Sequence, residues 1–309
     1  MVFLLLNLIK IKHWIKNIFF IYAPLVFSLQ LLNLQKLFDA TMAFISFSFV
    51  SVFVYILNDI KDKDSDARHP VKSKRPIASG KISTTKAFII GAVFLIFGIF
   101  VSLFLGLDAT IILLIYVITN VFYSYILKRI VVIDVFIIAF GFFLRVLLGS
   151  VAIGVNLSHW MALATFALSL FLGFCKRRNE INILGEEAVN CRTNLKDYTV
   201  QVLDIFIIIS ASVAVMSYAL YSMDREVVEK LGVDNLIYSF PFVIYGVFRY
   251  LYLVYCKNMG ANPEDIAVKD VGIVTAVILW AVLIVFLIYF KDCDIGFDFR
   301  FNLFSYFKR

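Results

Sequence analysis

Residues 37–57 read LFDATMAFISFSFVSVFVYIL, and residues 58–80 follow at once as NDIKDKDSDARHPVKSKRPIASG. The first stretch carries a single charged side chain, Asp39, over a length that suits a membrane-crossing helix, which needs about 20 apolar residues. The second is crowded with charge: Asp59, Asp62, Asp64 and Asp66 alternate with lysines, and Arg68, Lys72, Lys74 and Arg75 follow. An apolar helix that hands the chain directly to such a segment places the charges at a membrane surface. This juncture predicts an all-α, polytopic integral membrane protein whose polar chemistry gathers where its helices end.

Composition agrees. Of 309 residues, 62% are apolar and 17% charged, with a mean hydropathy of +0.91. A soluble domain usually has about 45–50% apolar and about 25% charged residues. A cytosolic globule, a disordered chain and a disulfide-rich secreted module are thereby excluded. Nine apolar segments qualify as transmembrane helices, at about 18–35, 37–57, 87–105, 108–127, 131–154, 159–175, 202–221, 236–256 and 271–290. The first nine residues are apolar and precede the basic ones, the reverse of a secretory signal, and they fit a short helix lying at the interface.

With the N-terminus inside, 20 of the 29 Lys and Arg fall in inner segments and 7 in outer ones, leaving Arg145 and Arg249 within spans. This positive-inside bias orients the chain in a cytoplasmic (inner) membrane, with the N-terminus and the charged loops cytoplasmic and the C-terminus outside. The inner loops 58–86 and 176–201 are long and charged, whereas the outer connections after helices one, three and five are short. The long loops lie four helices apart. They imply two four-helix halves, about 18–127 and 131–256, that cap a common inner mouth, with a ninth helix and a tail (291–309) completing a single transmembrane domain over residues 1–309. The net charge of +7 then reflects anionic headgroups and phosphate substrates, not nucleic acid. Cys175, Cys191, Cys256 and Cys293 form no CxxC pair, and His13, His69 and His159 are scattered, so neither a disulfide framework, a thiolate or imidazole metal site nor a Ser-His-Asp triad is indicated.

Within 58–80, Asn58, Asp62 and Asp66 are spaced i, i+4, i+8, and Asp59, Asp62 and Asp66 are spaced i, i+3, i+7. If the second helix continues past the membrane surface, these oxygens share one face, and Asp64 points away. Carboxylates on one stripe repel unless they share a cation, and oxygen donors select a hard ion, Mg²⁺ above all. The basic cluster that follows, with Pro70 and Pro76 restricting its backbone, completes what a diphosphate needs. A merely hydrophilic loop is the plainer alternative, and the spacing at the end of an apolar helix weighs against it. Any single cation here can equally be positive-inside decoration.

Asn58-Asp59-x-x-Asp62-x-x-x-Asp66 at the inner end of a second helix resembles the first aspartate motif of the UbiA superfamily of intramembrane prenyltransferases. The continuation His69-Pro70-x-Lys72-x-x-Arg75-Pro76-Ile-Ala-Ser-Gly80 resembles its polyprenyl-phosphate (decaprenyl-phosphate) phosphoribosyltransferase branch. So do Trp14-Ile-Lys16-Asn17 with Ala23-Pro24-Leu25, although Lys10-Ile11 stands where the branch usually has Arg-Pro. Further matches are Tyr123-Ser124 through Lys128 to Asp134-Val135, Gly141-Phe-x-Leu-Arg145, Gly149, Ser158-x-Trp160, Lys176-Arg177-Arg178-x-Glu180, Arg192-x-x-Leu195-x-x-Tyr198, Pro263-Glu264-Asp265 and Lys269-Asp270. Together they cover roughly residues 10–272. Quinone- and haem-type members usually carry a second Asp-rich motif after helix six; here that position reads KRRNEINILGEEAVNCRTNLKDY (176–198), with three consecutive cations and one early carboxylate, Glu180. Such a loop suits a phosphate better than a second magnesium pair.

The resemblance implies nine helices around a cavity that opens inward, 5-phosphoribosyl 1-diphosphate as donor, a polyprenyl phosphate as acceptor and Mg²⁺ as cofactor, in contact with membrane lipids. It implies that Asn58, Asp62 and Asp66 hold the metal, that Asp59, Asp62, Asp66, Lys128 and Asp134 carry catalysis, and that Lys16, Asn58, Lys72, Arg75, Tyr123, Lys128, Arg145, Lys176, Arg177, Arg178 and Glu180 bind substrate. Ionisable groups inside a span are functional by default. Asp134 can orient a lysine or a ribose hydroxyl; for Arg145 a phosphate contact and a buried structural pair stay equally open, and Arg249 reads as structural. The 33 Phe fit a tunnel or plain lipid contact alike. Two other functions stay in play: a prenyltransferase that ionises an allylic diphosphate toward an aromatic or lipid acceptor, and a non-enzymatic transporter of phosphate-bearing lipids. The second would distribute ionisable groups through the spans, whereas here they gather at one mouth. A homo-oligomer and the length of the polyprenyl chain are left open.

Overall fold

The computed structural model describes residues 2–290 except 69–70, 185–192, 234, 258, 260–265 and 267–268. His69, Pro70, Cys191, Arg192, Pro263, Glu264, Asp265, Cys293 and the tail 291–309 therefore lie outside the described residues. The described chain is helical, with no strand: α1 (Val2–Leu8), α2 (Trp14–Val26), α3 (Leu34–Lys61), α4 (Lys63–Arg68), α5 (Thr84–Leu103), α6 (Leu107–Tyr125), α7 (Ile133–Ala152), α8 (His159–Leu184), α9 (Val200–Met223), α10 (Arg225–Leu231), α11 (Phe240–Cys256) and α12 (Val271–Tyr289). Among the described residues, eight helices are long and apolar enough to cross a membrane: α3, α5, α6, α7, α8, α9, α11 with the 3₁₀ turn before it, and α12. The chain is a multi-pass membrane protein.

The first expected span needs correcting. The segment 18–35 is not one helix: α2 starts earlier, at Trp14, and ends at Val26 after 13 residues. Pro24 sits in its last turn, Leu29 takes a left-handed φ of 62°, and Asn33 caps the next helix by accepting from the backbone N–H of Gln35 and Lys36. The chain thus turns inside a run whose average hydropathy is high. In an apolar solvent the exposed backbone ends need partners. Tyr289 supplies them: its hydroxyl donates to Val26 O (3.0 Å) and accepts from Leu31 N–H (3.3 Å).

Lipid offers no hydrophobic drive between helices, so close packing of small residues and interhelical hydrogen bonds hold the bundle. On α3, Ala43, Phe47, Val50 and Val54 recur at helical spacing and are buried. Against them lies Gly98 of α5, where an added Cβ would come within 2.8 Å of the Val50 side chain, and whose carbonyl accepts from Ser46 Oγ at 2.7 Å. Gly149 of α7 meets α2 so closely that a Cβ there would collide with the Ile21 carbonyl. A second core joins α7, α8, α9 and α11 through Val135, Phe171, Leu203, Ile207 and Leu253. The N-terminal helix α1 packs down on α3: Leu8 is buried with Val52, Ile56 and Ile77.

Two helices exceed their expected spans at the mouth end. α3 runs to Lys61 and so carries Asn58 and Asp59 on its last turn, while α8 runs to Leu184 and presents Lys176 to Glu180 as helix, not loop.

Candidate active site

The expected continuation of the second helix is nearly realised. Asp62 is the C-cap of α3, with φ −92° and ψ 6°, and α4 begins at Lys63. The i to i−4 ladder still crosses the break, since Asp62 N–H donates to Asn58 O (2.9 Å) and Asp66 N–H to Asp62 O (2.8 Å). The residues around this kink form the first of two charged groups. Asp59 and Asp66 share Arg75, whose NH1 donates to Asp59 Oδ1 (2.9 Å) and Asp66 Oδ2 (2.6 Å). Asp62 instead accepts from Lys128 Nζ and, at 3.1 Å, from Asn58 Nδ2. Ser124 Oγ donates to Asn58 Oδ1 at 3.4 Å. Asp64 is exposed, off this surface, as its spacing predicts.

Lys10 completes the first group. Its Nζ donates to Asp59 Oδ1 at 2.8 Å and lies 5.4 Å from the Tyr55 ring centroid. Its backbone is left-handed (φ 50°), which swings the side chain from the α1–α2 connection onto the end of α3. Burial pushes the Lys10 ammonium below the usual lysine range, Asp59 opposing the shift. Burial likewise pushes the Asp66 carboxyl above the usual carboxylate range, against the pull of Arg75 and of nearby Lys72. The sequence offered one signal for Lys10, its departure from the expected Arg, and no role followed from that.

The second group forms where α7 begins and α8 ends. Asp134, fully buried, accepts from Arg177 Nε (2.7 Å) and from the Tyr198 hydroxyl (2.8 Å), which in turn accepts from Val132 N–H at 2.7 Å. Arg177 NH1 reaches Glu180 Oε2 at 2.8 Å, and Tyr123 lies close enough to interact with the same guanidinium. Burial and the adjacent Asp134 raise the Tyr198 phenol well above its usual range. Arg178 pairs with Asp204 (2.5 Å), stacks at 4.2 Å over Tyr255, and shares Asp204 with the Tyr255 hydroxyl. Neither Tyr198 nor Asp204 and Tyr255 was assigned a role from sequence. Lys128 to Asp134 connects the groups, since Lys128 meets Asp62 in the first and Asp134 anchors the second. Lys176 stands half-buried beside them on α8.

Arg145, expected as a substrate contact or a structural pair, lies outside these two groups. Arg145 is buried in the bundle, donating to Asn17 Oδ1 (2.7 Å) and Gly141 O (2.7 Å) and enclosed by the rings of Phe47, Phe142 and Tyr116 at 4.5, 4.9 and 5.3 Å. Neutral oxygens and π-faces hold this cation, so neither a phosphate nor an ion pair is required to explain it. Lys16 lies 6.0 Å from the Phe142 ring. Arg249 pairs with Asp270 at 2.9 Å, which ties α11 to the start of α12.

Asn58, Asp59, Asp62 and Asp66 present oxygen donors, the chemistry of a hard cation. Among the described residues no three His, Cys, Asp or Glu side chains converge into a ready-made cage. The carboxylates are shared out to Lys10, Arg75 and Lys128 instead. That set suits a Mg²⁺ that takes one or two carboxylates and completes its shell with water and substrate phosphate.

The model of the UbiA prenyltransferase family matches residues 18–261. The decaprenyl-phosphate phosphoribosyltransferase of Corynebacterium glutamicum is 30% identical over 290 residues, covering 92% of this chain and 86% of that protein. The protein of the same name from Mycolicibacterium smegmatis is 27% identical over 297 residues, 93% of each. Among solved structures, a UbiA homologue from Archaeoglobus fulgidus bound to DMAPP and Mg²⁺ superposes with a TM-score of 0.70 at 18% identity, over 90% of this chain and 96% of that one, a likeness of fold.

Proposed function

The chain belongs to the UbiA prenyltransferase family and is a membrane transferase, and from that premise we propose that it moves 5-phosphoribose from 5-phosphoribosyl 1-diphosphate to a polyprenyl phosphate. The observation that carries this reading is the pairing at the mouth. Three acidic side chains are neutralised by Lys10, Arg75 and Lys128, while the second cap supplies Lys176, Arg177 and Arg178 without an aspartate stripe. The relatives named for decaprenyl-phosphate phosphoribosyl transfer support the donor and acceptor. The two four-helix halves each contribute one cap to the mouth, which faces the cytoplasm of an inner membrane.

An acceptor phosphate oxygen attacks C1 of the ribose as the C1–O bond to diphosphate breaks. A phosphate monoester is already ionised at pH 7, so no strong general base is needed, and the 5-phosphate is untouched. The work is electrostatic. Arg75, Lys72 and Lys128 bind diphosphate oxygens as they exchange their carboxylate partners for phosphate. Lys176, with Arg178 beside it on α8, takes the acceptor or the 5-phosphate. Arg177, locked to Asp134, holds α8 against α7 and sets the angle at which those cations reach the mouth. Asn58, Asp62 and Asp66, with Asp59 alongside, would hold Mg²⁺, which when bound would supply charge neutralisation for the leaving diphosphate.

Purified protein is incubated with ribose-labelled phosphoribosyl diphosphate and polyprenyl phosphates of several lengths, and lipid extracts are examined for label. A labelled lipid that retains the 5-phosphate is expected. Untouched donor alongside turnover of geranylgeranyl diphosphate with an aromatic or lipid acceptor overturns the reading in favour of prenyl transfer.

A further inference from the structure

α7 starts at the mouth with Asp134 and ends at the opposite face near Ser150, and α8 returns from His159 to Arg177. Apart from Arg145 in the middle of α7, the polar groups so far described on these helices lie at one end. The opposite end holds a cavity of about 910 Å³ beneath the α7–α8 connection and α10, lined among others by Ser150, Asn156, Ser158, Trp160, Glu226 and Lys230. Beside it lies an apolar chamber of about 260 Å³ between α2, α8, α9, α11 and α12, walled by residues such as Phe20, Leu168, Val215 and Trp280. Phe27, Met161 and Tyr221 line both spaces, so polar vestibule and apolar chamber adjoin through the same three side chains.

The vestibule is chemically specified. Ser150 is 1% exposed, and its Oγ has no hydrogen-bond partner among the described residues. A buried hydroxyl left unpaired is costly, and one that lines a cavity points to a ligand that satisfies it. Asp224 is fixed at the wall: Oδ2 accepts from Trp160 Nε1 at 2.9 Å, and Oδ1 from the backbone N–H of Glu226 and Val227. Glu226 and Lys230, one helical turn apart on α10, stand exposed at the rim. Two carboxylates against one ammonium disfavour an anionic headgroup and favour one that carries its own cation.

We propose that vestibule and chamber form a binding site for a zwitterionic phospholipid of the phosphatidylethanolamine type. Its ammonium meets Glu226 and Asp224, its phosphate meets Lys230, a glycerol ester oxygen takes the Ser150 hydroxyl, and part of one acyl chain fills the chamber. The site is separate from the transfer chemistry and stands whichever donor the mouth uses.

The full-length protein, delipidated in detergent, is offered equimolar phosphatidylethanolamine and phosphatidylglycerol, and retained lipid is weighed by native mass spectrometry. One phosphatidylethanolamine per protein is expected, favoured about tenfold, the scale of one charge-assisted hydrogen bond. Glu226→Lys, an exposed change that leaves packing intact, is expected to reverse the preference. Ser150→Leu is expected to lower retention of both lipids, and if that variant does not fold, Glu226→Lys decides alone. Equal retention of the two lipids, a preference unmoved by Glu226→Lys, no retained lipid, or displacement of phosphatidylethanolamine by polyprenyl phosphate overturns the proposal.

Discussion

Removing the Asp134 carboxylate should destabilise the protein more than removing its partner as well. The pair is out of solvent, with the Arg177 side chain 2% and the Asp134 side chain 0% exposed. Asp134→Ala strands a guanidinium, and breaking a buried pair from one side costs about 3–5 kcal/mol. Glu180, 20% exposed, still holds Arg177 NH1, which sets the expectation at the lower end of that range. The Tyr198 hydroxyl loses its acceptor as well, adding about 1 kcal/mol. The sum is about 4 kcal/mol, and at about 2–4 °C per kcal/mol the midpoint falls by roughly 10 °C. The assay is thermal unfolding in detergent, followed by tryptophan fluorescence and by circular dichroism, for wild type, Asp134→Ala, Arg177→Met and the double variant Asp134→Ala/Arg177→Met. The double variant should unfold well above Asp134→Ala, with a coupling energy of about 2–3 kcal/mol. An Asp134→Ala midpoint indistinguishable from wild type, or strictly additive single changes, refutes the reasoning that this pair locks α7 to α8.

The other expectations concern the mouth. Asp62→Asn and Asp66→Asn should each lower transfer by orders of magnitude with an unchanged helical spectrum, and chelation should abolish wild-type turnover; full activity in excess chelator counts against a metal at Asn58, Asp62 and Asp66. Lys128→Ala should lower kcat/KM about tenfold or more, since a charged hydrogen bond is worth about 1.5–3 kcal/mol. Arg225→Ala, at the opposite face, should leave kcat/KM unchanged, and equal losses at both positions would show the mouth misplaced. The raised Asp66 pKa makes the folded, metal-free protein bind that proton more tightly than the unfolded chain. Its contribution is therefore present below the ordinary aspartate range and is lost as pH rises through the folded value, so Asp66→Asn should flatten the acid side of the stability-versus-pH curve. A curve unchanged by the substitution contradicts the burial argument.

The aspartates were legible because helical spacing is a local property: residues three, four and seven apart meet whatever surrounds them. Their partners were not. Lys10 and Asp59 are separated by 49 positions, and Lys128 and Asp62 by 66, so no window could join them. The same limit hides Tyr198, which a sequence motif marks but whose hydroxyl meets Asp134 only through the fold. Spans α3, α5 to α9, α11 and α12 are legible from composition, with ends displaced by a few residues except at the inner end of α8, which runs nine residues further. The first was not, because hydropathy averages across a turn, and it is the left-handed Leu29, the proline of α2 and the cap at Asn33 that end one helix and begin another. Arg145 was recognised as unusual from its charge alone, but its cage of rings and neutral oxygens is drawn from α2, α3, α6 and α7 together.

The brevity of α2 bears on where such an enzyme can reside. Thirteen residues give a rod about 20 Å long, against a hydrocarbon thickness of about 30 Å. The eight longer helices fix the protein in the bilayer, so the shortfall is local and falls on one side of its circumference, beside the turn of residues 27–33. Lipids there must shorten, tilt or leave a notch that water fills, at a cost of fractions of a kcal/mol for each ångström. Thinner membranes relieve that stress and thick, ordered ones increase it. A bilayer that thins beside α2 would do so along one fixed azimuth of the molecule, and leaflets that deform easily would meet it at the lowest cost.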